Sequence, residues 1–253
     1  MQYPLALAVE GETSIVIVDL NLPGIWRLPL SGGTPQLVYR GSNLLRKPLN
    51  RPRCIAVSAD GSLLVGDTAT REIYRLAADG SGEALPLTNG FLGIPNSLAL
   101  DSKGRLLISD LETRFVYAWT EGQSEPQLFS KTSTRGLHLA ADGVIWGVTP
   151  DAVALVRFNE SGEASAVLGG RPFQFPHNVV VDAEGTAFVT DGYAKTVWRI
   201  PNGGTPEPFF AGEPLQNPVG LAMIPGKLLI ADPHAKQIFA IDLASKMITP
   251  LVQ

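Results

Sequence analysis

The sequence predicts an all-β fold, a six-bladed β-propeller with four antiparallel strands per blade, and three observations carry that prediction. One frame recurs six times from end to end: an opening Pro or Thr, a variable residue, a small residue, an apolar run, a turn, a second apolar run and, in five of the six, a closing Asp. Its clearest copies are PNSLALDSKGRLLISD (95–110) and PHNVVVDAEGTAFVTD (176–191). The opening positions Pro4, Pro52, Pro95, Thr134, Pro176 and Pro218 follow one another at intervals of 48, 43, 39, 42 and 42 residues. Six residues beyond each second run stands an aliphatic residue, and the position after it is Trp26, Tyr74, Tyr117, Val156, Trp198 or Phe239. Four short strands in roughly 40 residues make the unit of a propeller blade.

Each blade reads the same way along the chain. The first apolar run is an inner strand, and a turn, marked by Gly61, Gly104, Gly143, Gly185 and Gly226 in the later blades, leads into the second strand. The third strand carries the aromatic, and a weaker fourth follows, such as TPQLVYR (34–40) or TPEPFFA (205–211). The chain divides as a single domain into blades of about 1–48, 49–91, 92–130, 131–172, 173–214 and 215–253. A solenoid of the same repeat would need polar end caps, and none is visible. Closing the ring removes the open ends. The first blade begins on an inner strand and the last ends on an outer one, MITPLVQ (247–253), so no strand is expected to cross the closure.

Composition narrows the function. The chain has 253 residues, 45% hydrophobic and 17% charged, with 20 Lys and Arg against 24 Asp and Glu. It can bury a sizeable core, and disorder is excluded. A net charge of −4 and a pI near 5.4 argue against general nucleic-acid binding. No apolar run approaches the ~18–20 residues of a membrane span, and the first residues lack a basic-then-apolar export signal. The compartment stays open on these grounds, and a soluble monomer is the expectation. The lone Cys54 excludes an internal disulfide and any multi-cysteine zinc site. It shares its position with Ala6, Ser97, Gly136, Asn178 and Gly220, so it packs rather than reacts. No nucleophile elbow, dinucleotide fingerprint, P-loop or His-Glu-x-x-His is present.

Strand order gathers the candidate site. Inner strands start where one blade hands over to the next, and second strands return to that same face. The residues after each opening position, Leu5, Arg53, Asn96, Arg135, His177 and Val219, therefore ring one mouth of the central channel. The repeated strand-end Asp is read as an acceptor for backbone groups of the following turn. His138 stands where other blades carry Ala or Val and is read as packed in the core, whereas His234 is read as solvated. Trp119 and Trp146 fall outside the repeat position and find no role. The longest interval contains Arg40, Arg46, Lys47, Arg51 and Arg53 with no acid among them.

The frame resembles the NHL repeat and the related six-bladed propellers of the SMP-30/gluconolactonase and strictosidine-synthase-like group, over the full chain. The resemblance implies a propeller and two activities to weigh, since one fold hosts many functions. Hydrolases of the SMP-30 group hold a divalent cation at this mouth with Glu, two Asn and Asp. Carried onto this sequence, those places fall on Leu5, Asn96, Arg135 and His177, so one oxygen ligand in four survives and an arginine replaces another. A hard cation wants several oxygen ligands. No metal and no cofactor are therefore expected. Phe175-Pro176-His177 also looks like the Pro-His element of peptidyl-glycine amidating lyases, which need further histidines that are missing here.

The expected function is a non-enzymatic binding module for a small anionic molecule or an acidic protein segment. Arg53, Asn96, Arg135 and His177 would bind it, with Arg46 and Lys47 from the long handover loop. Phe91, Phe173 and Phe175 are expected to supply an apolar wall. With an ordinary imidazole pKa of ~6.5, His177 would strengthen binding as pH falls through that value. The alternatives are a lactone hydrolase with a rebuilt metal site and, least favoured, an RNA-binding propeller.

Overall fold

In the computed structural model, which describes residues 1–202 and 204–253, the chain forms six four-stranded antiparallel sheets arranged as the blades of a ring. No helix occurs among the described residues. The first blade runs Pro4–Glu10, Ser14–Asp19, Gly24–Pro29 and Gln36–Arg40. The other inner strands are Pro52–Val57, Pro95–Leu100, Gly136–Leu139, Pro176–Val181 and Gly220–Ile224. Every blade is made of consecutive sequence, as its hairpin connections require, and no strand is exchanged at the closure.

The core is distributed between blades. The buried apolar residues fall into six clusters, and each spans one pair of neighbouring blades. The third-strand residue of each blade faces the blade before it. Tyr74 joins the cluster between blades one and two, Tyr117 that between two and three, and Val156 that between three and four. Trp198, Phe239 and Trp26 complete the circuit. A twisted four-stranded sheet has two apolar faces and cannot cover either one alone, so blade-on-blade packing supplies the hydrophobic stabilisation. The two unassigned tryptophans find local roles. Trp119 donates its indole N–H to the Gln123 carbonyl at 2.8 Å, and Trp146 is buried with the Arg157 guanidinium 4.2 Å from its ring centre.

The ring closes by packing Leu229, Ala231 and Ile238 of the last blade on Leu7, Ile15 and Ile17 of the first. The last residues lock this seam: Gly33 N donates to Leu251 O at 2.8 Å, and Gln253 N donates to Gly33 O at 3.0 Å. Leu251 is 7% exposed within the same cluster. Leu251→Ala is expected to cost about 2–4 kcal/mol in urea unfolding, the scale of a buried Leu truncation. A loss below 0.5 kcal/mol, the range of ordinary surface substitutions, would show that the seam contributes little.

Candidate functional site

The second position of the frame projects into the mouth because the inner strand bulges there. In blade two Pro52 pairs with Asp67 and Cys54 with Gly66, leaving Arg53 without a partner across the sheet. The same break frees Leu5, Asn96 and His177. In blades four and six there is no bulge: the ladder begins at Gly136 and Gly220, just past the second position, and Arg135 N and Val219 N donate to Val148 O and Ala231 O. A bulge kinks the strand and re-aims the extra residue. Four such bulges and two strand starts bring the six side chains to one mouth.

The strand-end aspartates hold these bulges in place. Asp110 is 1% exposed and accepts from Gly93 N at 2.6 Å, Ile94 N at 3.1 Å, Glu112 N at 2.9 Å and Thr113 N at 3.2 Å. Asp19, Asp67, Asp191 and Asp232 do the same. Each carboxylate thus ties the following turn, as the sequence suggests, and also the handover loop some sixteen residues earlier, which it does not suggest. Blade four has Thr149 instead, whose hydroxyl donates to Val153 O at 2.5 Å and accepts from Asp151 N at 3.0 Å.

At the mouth lies a cavity of about 200 Å³. Arg53, Asn96, Arg135 and His177 line one part of it, with Asn178 and Asn217, while Tyr3, Leu5, Leu20 and Val219 form an apolar side. No carboxylate is among its lining residues. Below it the central channel encloses about 450 Å³ between the inner strands, and Asn96 lines both spaces. His138 lines that channel beside Ala56, Ala99 and Ala222 rather than sitting in the core, a correction to the sequence reading. Its alternation along the inner strand points it at the ring axis, where the other blades carry small residues. His234 is exposed, as expected.

The polar side is a chain of contacts. Arg53 Nε donates to Asn96 Oδ1 at 2.6 Å, and Asn96 Nδ2 donates to Arg135 O at 2.5 Å. The Arg135 guanidinium lies 3.9 Å above the centre of the Phe175 ring. Phe175 stacks at 4.5 Å on Tyr193 and meets His177 edge-on at 5.0 Å. Gly192 lets these rings approach: a methyl group there would lie 2.1 Å from Asn217 Oδ1 and 2.8 Å from His177 Nε2. Neither Arg53 nor Arg135 takes part in an ion pair among the described residues. Arg135 Nε is buried without any hydrogen-bond acceptor. Burial pushes the pKa of both arginines down, and Arg53 adds to the depression at Arg135 by repulsion.

The other expected residues lie elsewhere. Arg46 and Lys47 are exposed on the loop between blades one and two and do not line the cavity. Phe91 packs edge-on against Tyr117 at 5.3 Å, away from it. Phe173 and Phe175 line a neighbouring space of about 210 Å³, which shares Arg135 with the mouth. Tyr3, Leu20, Tyr193 and Asn217 are additions that the repeat frame does not mark, since they sit in loops outside its conserved spacing. Cys54 is buried, and burial pushes its thiol up to about 12, so it is inert as a nucleophile.

His177 departs from the expectation of an ordinary imidazole. Burial, then the charges of Arg135 and Arg53, push its pKa down to about 4. Affinity for an anion should therefore be flat from pH 8 to 5 rather than rising through ~6.5. Stability carries the opposite mark. An unfolded imidazole takes a proton near ~6.5 while the folded one stays neutral to about 4. Stability is then complete above the higher value and drains as pH falls toward the lower, by about 3 kcal/mol. In His177→Gln this part of the acid loss should vanish in urea titrations across that window. An NMR titration placing the folded imidazole near its ordinary pKa would overturn the assignment.

The donor set does not suit a divalent cation. Leu5, Arg135 and His177 occupy three of the four places that the family resemblance marks, and Asn96 Oδ1 is already engaged by Arg53. Two guanidinium groups beside it would repel the ion. No cluster of three His, Cys, Asp or Glu side chains occurs among the described residues.

No family model matches the chain, and no curated protein matches it by sequence. Solved structures do resemble it. The propeller found in a nidogen–laminin complex aligns with a TM-score of 0.80 at 17% identity, covering 96% of this chain and 94% of that one. A gluconolactonase from Xanthomonas campestris aligns with a TM-score of 0.73 at 16% identity, covering 91% and 83%. Virginiamycin B lyase from Staphylococcus aureus aligns with a TM-score of 0.72 at 16% identity, covering 100% and 85%. At this identity the likeness establishes the six-bladed fold alone.

Proposed function

We propose that this propeller is a binding module for a small organic anion, bound at the channel mouth without chemical conversion. One observation carries the reading: two arginines without acidic partners converge on a cavity that has no carboxylate in its lining, and one of their N–H groups is buried without an acceptor. Burying unpaired cations is costly, and an anion that accepts from both would relieve desolvation and repulsion together. The apolar side formed by Leu5, Leu20 and Val219 favours an anion with a short hydrocarbon or single-ring body.

Calorimetric titration at low salt with benzoate, gluconate and inorganic phosphate tests the reading, with benzamide as the uncharged control. Binding of at least one anion in the millimolar range or tighter, with none by benzamide, is the expected result. Silence from every anion would overturn it. Lactone hydrolysis that depends on added divalent metal would replace it with the hydrolase reading, to which the gluconolactonase likeness lends a fold but the mouth residues lend no ligand set.

A further inference from the structure

The charges of this acidic chain are sorted by face. Hairpin turns occupy one side of the ring; handover loops and the loops after the second strands occupy the other. Of the 20 lysines and arginines, twelve lie on the mouth side and eight on the turn side. Of the 24 acids, nine lie on the mouth side and fifteen on the turn side. The mouth-side acids are mostly out of play: Asp19, Asp67, Glu72, Asp110, Asp191 and Asp232 are buried on backbone N–H groups. Of the remaining three, Glu112 and Asp151 pair with Arg71 and Arg114, which leaves Glu213. A protein with a net charge of −4 thus presents a face with more cations than acids, whose exposed charges are mainly basic.

Backbone geometry adds that these cations are not casual choices for their loops. Arg71, Arg114, Lys195 and Lys236 each stand four residues beyond a strand-end Asp, with φ of 61°, 64°, 51° and 57°. Gly or Asn holds such a left-handed position at lower cost. Four blades nevertheless place a long cation there. Arg71 and Arg114 tie neighbouring blades through Glu112 and Asp151, whereas Lys195 and Lys236 are exposed and make no ion pair among the described residues.

The same face carries exposed apolar side chains. Leu44 and Leu45 are 67% and 81% exposed beside Arg46 and Lys47, Tyr193 is 70% exposed beyond the cavity, and Phe91 stands at the next handover. We propose that the mouth face is a docking surface for an acidic polypeptide segment that carries apolar side chains of its own. Charge complementarity selects the sign of the partner, and the scattered apolar residues select polypeptide over a free ion. A lipid surface fits less well, because only Leu44 and Leu45 form an adjacent exposed pair, whereas Phe91 and Tyr193 lie against the aromatic rings of Tyr117 and Phe175. The inference stands on the rim and does not require the cavity to take a small anion.

Fluorescence anisotropy with a labelled peptide of repeated Glu-Glu-Leu, and a companion of repeated Glu-Glu-Ser, tests it on the full chain. The Leu peptide should bind at low salt, more tightly than the Ser peptide, and weaken steeply as salt rises. Arg46→Glu with Lys47→Glu should loosen it about tenfold, mainly through slower association. Leu44→Ser with Leu45→Ser should loosen the Leu peptide and leave the Ser peptide unchanged. Lys103→Glu with Lys227→Glu changes net charge equally on the turn face and should have no effect. Equal loss from the turn-face pair, no peptide binding at low salt, or tighter capture by phosphatidylserine vesicles or oligo(dT) would each overturn the proposal. Peptide binding that survives Arg53→Met while small anions fail to bind would retire the cavity reading and leave this one standing.

Discussion

Replacing both Arg53 and Arg135 with methionine is expected to weaken binding of a small carboxylate by more than about 3 kcal/mol, over a hundredfold, while the melting temperature stays level or rises. Each single change should cost about 1.5–3 kcal/mol of binding, the scale of a charged hydrogen bond. Stability should hold because these cations are not paid back by any carboxylate in the folded chain. Burial depresses both pKa values, and Arg53 opposes the charge on Arg135. Methionine keeps an apolar stem, and its sulfur can lie on Phe175 where the guanidinium now sits 3.9 Å away. The one structural loss is the bond from Arg53 Nε to Asn96 Oδ1, which an amide near a wet mouth can replace with water. Thermal unfolding and calorimetry on the same samples decide the matter: lowered melting with unchanged binding would mean that the arginines serve the fold.

Asp110→Ala should be highly destructive, as should removal of the equivalent carboxylates, lowering unfolding free energy by about 4 kcal/mol or more. Its carboxylate satisfies four backbone N–H groups at 1% exposure, and each orphaned buried donor costs about 1–3 kcal/mol. Asp110→Asn should fall between, because its amide offers one acceptor and turns an NH₂ group toward other donors. A drop in urea midpoint with an unchanged m-value would identify a true stability loss. Loss below 1 kcal/mol would mean that the handover loop is anchored by packing alone.

Much of this was legible in the sequence because the repeat reports position directly. The Pro-x-small frame alone places Arg53, Asn96, Arg135 and His177 on one ring, and the cavity is lined by all four. The bulge that aims Arg53, Asn96 and His177 is not legible, since it depends on how two strands register, and either register is compatible with the same residues. The strand-end Asp was read from its local turn, while half of its bonds go to a loop distant in sequence. The depressed pKa of His177 is not legible, because it comes from burial at the mouth and then from Arg135 and Arg53, on two other blades. Arg46 and Lys47 were read together with the mouth because their loop is basic, whereas the structure holds them on the rim.

The interfacial placement of the core has a consequence for the order of events during synthesis. A blade that shares each of its apolar faces with a neighbour is not a folding unit. Blades two to five meet the preceding partner as soon as they emerge. The first blade waits: Leu7, Ile15 and Ile17 are covered by Leu229, Ile238 and Leu251 of the sixth blade, which follow them at the far end of the repeat. At roughly 5–20 residues per second, that surface stands open for tens of seconds on the ribosome. Until the sixth blade emerges the nascent chain is therefore a sticky, arc-shaped intermediate, and chaperone protection of the first blade matters more than that of any other.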